Sequence, residues 1–138
     1  MRSLLLILLF ISSFYSRAQQ QTVDEIRMSI FFGGGSYYIS EDQVTQLYHF
    51  LDSVPDLLEK YTIHLISHTD PIGGKEYNEW LSEMRSKAVQ GVIMQRAIPE
   101  YKITIKDWGL DNPVYRNDSY QGMQMNRRVD VILYPIIF

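Results

Sequence analysis

Between Tyr61 and Trp108 the hydrophobic period of the chain changes twice, and this restricts the fold more than any other feature. Tyr61-Thr62-Ile63-His64-Leu65-Ile66-Ser67 is a short apolar run rich in β-branched residues, which marks a strand. Gly73-Gly74 permits a turn. From about Lys75 to Arg96 the apolar residues recur at helical spacing, and Ile98-Pro99 ends the run. Tyr101 to Trp108 then alternates, with Ile103 and Ile105 on one side and Lys102, Thr104 and Lys106 on the other. A strand, a long helix and a strand in that order favour parallel neighbours joined by a right-handed crossover.

The flanking segments extend this unit. Met28-Ser29-Ile30-Phe31-Phe32 reads as a strand stopped by Gly33-Gly34-Gly35. Ser40 and Gln43 have capping-box spacing, and Val44, Leu47, Tyr48 and Leu51 keep the helical period behind them. Pro55 breaks or restarts that helix, with Leu57-Leu58 carrying the remainder. Beyond Gly109 and Asn112-Pro113 a polar segment leads to a last strand, Val129-Asp130-Val131-Ile132-Leu133. The expected order is β-α-β-α-β-β: an α+β domain whose small mixed sheet is covered on one face by helices. The chain shows no internal repeat and no second domain.

The start of the chain is different in kind. Residues 1–18, MRSLLLILLFISSFYSRA, place Arg2 before an apolar run from Leu4 to Ile11 and end in Ser16-Arg17-Ala18, the order of a secretory signal peptide. The run is well short of the roughly 20 residues that span a bilayer. The sequence leaves open whether this segment is cleaved after Ala18 or retained. Residues 19–25 form a short polar lead-in, and residues 26–138 the domain. Removing Arg2 and Arg17 from 13 basic residues leaves 11 against 16 acids, a charge of -5. That balance argues against nucleic acid as a partner, since neutralising phosphates requires clustered Lys and Arg. The chain has no cysteine, so an exported product relies on its core and offers no thiol for an acyl anchor.

One residue of the long helix stands out. At about 100° per residue, Leu81, Met84, Ala88, Val89 and Val92 share a stripe, with Glu79, Glu83, Lys87 and Gln90 opposite. Asn78 and Arg85 point almost the same way and fall inside or at the edge of that stripe. A desolvated guanidinium without a partner costs on the order of 3–5 kcal/mol. Two arrangements would satisfy it. Arg85 pairs internally with Asp70 or another acid, or Asp70 and Arg85 face a shared pocket. In the pocket an acid suits an ammonium and an arginine clamps a carboxylate, so the two together suit a zwitterion. Asn78 would add a donor and an acceptor on the same wall.

Thr69-Asp70 after a strand, then Gly73, Asn78, Leu81-Ser82, Arg85 and Val89, resembles the central motif of the OmpA-like C-terminal domain. Gly109, Pro113 and Asn126-Arg127-Arg128-Val129 match the second block of that family. The resemblance covers roughly residues 26 to 134. It implies a two-layer OmpA-like sandwich that binds peptidoglycan noncovalently in the periplasm, peripheral to the outer membrane, through the diaminopimelate of the stem peptide. By position, Asp70 would take the ammonium and Arg85 the carboxylate, with Thr69, Asn78, Leu81 and Arg127 lining the site and Arg128 serving fold or surface. The alternative it leaves is an interaction subunit of an envelope complex, with outer-membrane or other envelope proteins as partners and peptidoglycan binding lost or altered. The chain departs from the family at Ser67, Ser86 and Asp107, where Gly, Ala and Gly are usual, and those positions bear on loop shape.

Other constellations are weaker. His64, His68 and Asp70 share a strand face, but positions four apart on a strand lie about 13 Å apart, too far for one zinc with ligands at about 2 Å. No metal site and no cofactor are expected. No Ser-His-Asp order or paired-carboxylate signature stands out, and Gly33-Gly34-Gly35 lacks the Lys of a phosphate loop, so the chain does not read as an enzyme. Tyr37, Tyr38, Tyr48, Tyr77 and Trp80 read as core in preference to a surface that stacks on sugars.

Overall fold

The computed structural model describes residues 24–109 and 115–137. The expected signal segment, most of the lead-in and Pro113 lie outside the described residues. Strand β1 is Ile26–Phe31, helix α1 Glu41–Asp52, α2 Leu57–Lys60, β2 Tyr61–His68, α3 Lys75–Met94, β3 Ile103–Gly109, α4 Tyr120–Asn126 and β4 Arg128–Pro135. A single 3-10 turn, Glu100–Lys102, leads into β3. Among the described residues no helix is long and apolar enough to cross a membrane.

The sheet is mixed, as expected, with strand order β1-β4-β2-β3. β2 and β3 are parallel and joined through α3, while β4 runs antiparallel to both β1 and β2. Register divides the residues between the two faces: Ile63 pairs with Ile103 and with Leu133, and Leu65 with Ile105 and with Val131. These side chains meet α1 and α3 in one core that includes Ile30, Leu47, Val89 and Ile93. α3 lies over β2 and β3, and α1 over β1 and α3.

Two short helices were not in the expected order. Pro55 does restart the chain as a helix, α2, entered through Asp56 at φ 55°. α4 lies in the segment read as a polar loop; the Ser119 hydroxyl caps it by accepting from the Gly122 N–H at 3.0 Å. Its seven residues, YQGMQMN, carry no apolar period and no acidic first turn, so there was little amphipathic signal to read.

The buried stripe of α3 is also rotated from the expected one. Asn78, Leu81, Ser82, Arg85, Ser86, Val89 and Ile93 are the buried residues, whereas Met84, Ala88 and Val92 are only half-buried. Arg85 therefore stands at the centre of the stripe and not at its edge. The two small serines caused the difference, because their polarity reads as surface while their size lets the helix approach the sheet.

Gln43 departs from the capping-box expectation. The Ser40 hydroxyl accepts from the Gln43 N–H at 3.4 Å, which is half of the box. The Gln43 amide does not return to Ser40. It accepts from the Phe31 N–H at 2.7 Å and donates to the Phe31 carbonyl at 3.0 Å. β1 is an edge strand, and this side chain occupies the outward backbone groups of its last residue.

Candidate functional site

The site is built where β2 stops. The register of β2 against β3 shifts between Ser67 and His68, and the chain leaves the sheet through Thr69-Asp70, both buried. The Asp70 carboxylate accepts from the Ile72 N–H at 3.1 Å with one oxygen. Its other oxygen accepts from Arg127 Nη1 at 3.3 Å, so Asp70 pairs with Arg127 and not with Arg85. Arg127 follows the last residue of α4 and reaches the site from the opposite end of the chain.

Arg85 is 0% exposed and is satisfied by backbone. Its Nε donates to the Ser36 carbonyl at 2.8 Å, Nη2 to the Gly33 carbonyl at 3.0 Å and Nη1 to the His68 carbonyl at 3.4 Å. The guanidinium also lies 5.1 Å from the centre of the Phe32 ring. Burial pushes its pKa down to about 10, with Asp70 opposing that shift and Arg127 adding to it. It is charged at neutral pH. Three of its five N–H groups are used by these carbonyls.

Asp70, Arg85, Arg127 and Leu81 line one cleft, together with Gly34, Gly35, Ile72 and Tyr77. Its volume of about 160 Å³ is below the roughly 300–1,000 Å³ of sites for drug-sized molecules, so it is sized for a small group. Thr69 and Asn78 do not line it. Asn78 is buried behind α3's first turns, where its amide donates to the carbonyls of Ile72 at 2.9 Å and Gly74 at 2.8 Å and so holds the loop. Ser67 Oγ, Thr69 Oγ1, Asn78 Oδ1, Ser82 Oγ and Arg127 Nε are buried without a hydrogen-bond partner among the described residues.

Sequence reasoning missed Tyr77 and the glycine backbone. A signal for the tyrosine existed: Tyr77, Leu81 and Arg85 follow at intervals of four along α3, one row of a helix. In the sequence Gly33-Gly34-Gly35 reads only as a strand stop. It also lets backbone carbonyls close on Arg85, and Gly35 adopts φ 63° with a Cβ position 3.0 Å from the Tyr77 hydroxyl. Gly73, at φ 103°, has a Cβ position only 2.4 Å from the Tyr77 ring. Gly73→Ala is therefore expected to cost about 1–3 kcal/mol and to push Tyr77 out of the cleft. Chemical denaturation monitored by circular dichroism checks the first, and a wild-type denaturation midpoint would contradict it.

A second charged cluster occupies the other face of the sheet. Asp130 accepts from Ser29 Oγ at 2.6 Å and from Arg128 Nε and Nη2 at 3.0 and 3.1 Å, with His68 Nε2 at 3.3 Å. Burial pushes its pKa up, but the hydrogen bonds from His68, Ser29 and Arg128 outweigh that and hold it well below the carboxylate range. Arg128 also donates to the Met125 carbonyl at 3.1 Å and lies over the Tyr115 ring. It serves the fold, as the resemblance implied. His68 braces the loop through its carbonyl while its ring turns to Asp130. His64 packs on Tyr134 with ring centres 4.7 Å apart, so the two histidines have separate partners.

The sheet order β1-β4-β2-β3 and a small cleft holding opposed charges at the end of β2 define the class of α+β domain to which the chain belongs. The model of the OmpA family matches residues 31–127, and the chain belongs to that family. The outer-membrane lipoprotein YfiB of Pseudomonas aeruginosa is 35% identical over 71 residues, covering 51% of this chain and 42% of that protein. The peptidoglycan-associated lipoprotein of the same organism is 34% identical over 67 residues, covering 49% and 40%. The chain thus spans less than half the length of these curated relatives. The crystal structure of the C-terminal domain of Helicobacter pylori MotB superposes with a TM-score of 0.69 at 20% identity, covering 77% of this chain and 83% of that one. That likeness shows the fold alone.

Proposed function

We propose that this domain binds peptidoglycan noncovalently by holding the zwitterionic end of diaminopimelate, from a stem peptide, in the cleft. The observation that carries the reading is that an acid, Asp70, and a buried guanidinium, Arg85, line one cleft sized for a small group. Asp70 takes the ammonium and Arg85 the carboxylate, using N–H groups that its three carbonyl partners leave over. Arg127 orients Asp70 and adds positive charge, and Leu81 and Tyr77 form the apolar wall. Thr69 and Asn78 act from behind, Asn78 by fixing the loop that carries Ile72. The domain catalyses no reaction. It works in the periplasm, peripheral to the outer membrane, and a relative named for its association with peptidoglycan supports this placement. A signal peptide at residues 1–18 would deliver it there.

Asp70→Asn tests the reading because it keeps the side-chain shape and an acceptor for the Ile72 N–H while removing the charge. Co-sedimentation with purified sacculi is expected to fall at least about tenfold, with the circular dichroism spectrum of the folded domain retained. Equal co-sedimentation of variant and wild type would contradict the assignment.

One observation favours a second reading. Asp70 is already paired with Arg127 inside the chain, so the cleft's acid is partly satisfied without a ligand. In that reading the domain is an interaction subunit of an envelope complex that has lost or altered its peptidoglycan binding. Wild-type protein that fails to sediment with sacculi supports it.

A further inference from the structure

The aromatic residues beside the cleft are not core. Tyr37, Tyr77 and Trp80 are 44, 41 and 47% exposed, although their sizes would favour burial. They form one continuous surface. The Tyr77 and Trp80 rings are 5.8 Å apart and inclined at 35°, while Tyr37 meets Trp80 edge-on at 6.1 Å. Tyr37 and Tyr77 thus both contact the indole, about half of which stays open.

We infer that this surface is a second subsite, which stacks a sugar ring of the glycan strand whose stem peptide enters the cleft; the inference rests on the proposed peptidoglycan binding. Three observations identify the occupant. The surface is continuous with the cleft, because Tyr77 belongs to both. Its spacing suits the ligand: diaminopimelate is the third residue of a stem peptide, so roughly 10 Å of extended chain separates it from the sugar that bears the stem. The Trp80 ring lies 5.8 Å from that of Tyr77, and the Tyr37 ring a further contact of 6.1 Å from Trp80, which is the scale of that separation. Its chemistry suits a pyranose, whose ring C–H bonds are weakly positive and meet the negative face of an aromatic ring. The tyrosine hydroxyls and the exposed Glu79 nearby on α3 provide groups for the sugar hydroxyls.

The test is calorimetric titration of the folded domain with two ligands, an N-acetylated disaccharide carrying the diaminopimelate tripeptide and the same tripeptide free. Wild type is expected to bind the disaccharide form about three- to tenfold more tightly. Trp80→Ala should reduce that gain to less than about twofold while leaving the affinity for the free tripeptide unchanged, and Trp80→Phe should restore part of it. Equal wild-type affinities for the two ligands overturn this inference and leave the cleft assignment standing. So does a gain that survives in Trp80→Ala. Loss of both ligands alike in Trp80→Ala also overturns it, since Trp80 would then act through the cleft itself. If wild type binds neither ligand, the cleft assignment fails and this inference fails with it.

Discussion

Replacing Arg85 with alanine is expected to lower the unfolding free energy by about 3–5 kcal/mol, read as a fall in the urea midpoint with an unchanged slope. The carbonyls of Ser36, Gly33 and His68 lose their charged donor at a site that is fully buried. A buried acceptor left without a partner costs about 1–3 kcal/mol, and truncation also opens a cavity beneath Phe32. Against a total stability of roughly 5–15 kcal/mol for such a domain, that is a large fraction. Arg85→Lys should recover only part of the loss, because an ammonium keeps the charge but lacks the planar fork that reaches three separate carbonyls. A loss below about 1 kcal/mol for the alanine variant would contradict the structural role assigned here. It follows that Arg85→Ala cannot by itself report on ligand binding, and Asp70→Asn, which takes the counter-charge from Arg127, is to be read together with its urea midpoint.

The second large effect is expected at Asp130, on the opposite face of the sheet. Asp130→Asn removes the counter-charge of buried Arg128 and turns one of the two acceptor oxygens, Oδ1 facing Ser29 or Oδ2 facing His68, into an NH2 donor. Breaking one partner out of a buried ion pair costs about 3–5 kcal/mol. The pH dependence gives this prediction a signature. The folded pKa of Asp130 is lowered, so the carboxylate's contribution is fully present above the unfolded carboxyl pKa of about 3.9 and is lost as pH falls towards the folded value. Urea denaturation should show the whole difference between wild type and Asp130→Asn near pH 7. The difference should shrink below about pH 4. A gap that stays constant down to pH 3 would show that the cluster acts through packing and not through charge.

Much of the fold was legible because its central unit is strongly periodic. The alternation of Ile103 and Ile105 with Thr104 and Lys106, set against the helical spacing before Ile98-Pro99, allows few arrangements other than a crossover. The sheet has the expected parallel pair there. α4 was illegible for the opposite reason, since a short helix of polar residues and methionine leaves no period to read. The orientation of α3 was misread by about one position because Ser82 and Ser86 are buried against the sheet, where small size matters more than polarity.

The site was half legible. An arginine among apolar positions signals a partner, and Arg85 has three. They are backbone carbonyls, and a carbonyl carries no side-chain identity by which it could be found in advance. The same limit hid the pairing of Asp70, because Arg127 lies far along the chain and reaches it only through the end of α4. The exposed aromatics were misassigned to the core because an aromatic residue on a helix ordinarily packs inward. Trp80 lies one position before the buried Leu81, and that one step leaves its ring exposed on the surface against Tyr77.

In the proposed function the cleft recognises both charges of a zwitterion. Calorimetric titration of the wild-type domain with two tripeptides differing in one group tests it most directly: one ends in diaminopimelate, the other in lysine, which keeps the side-chain ammonium and lacks the carboxylate beside it. Losing a carboxylate that pairs with a buried guanidinium should cost about 2 kcal/mol or more, roughly thirtyfold in affinity. The lysine peptide is expected to bind at least that much more weakly. Equal affinity for the two peptides would contradict it.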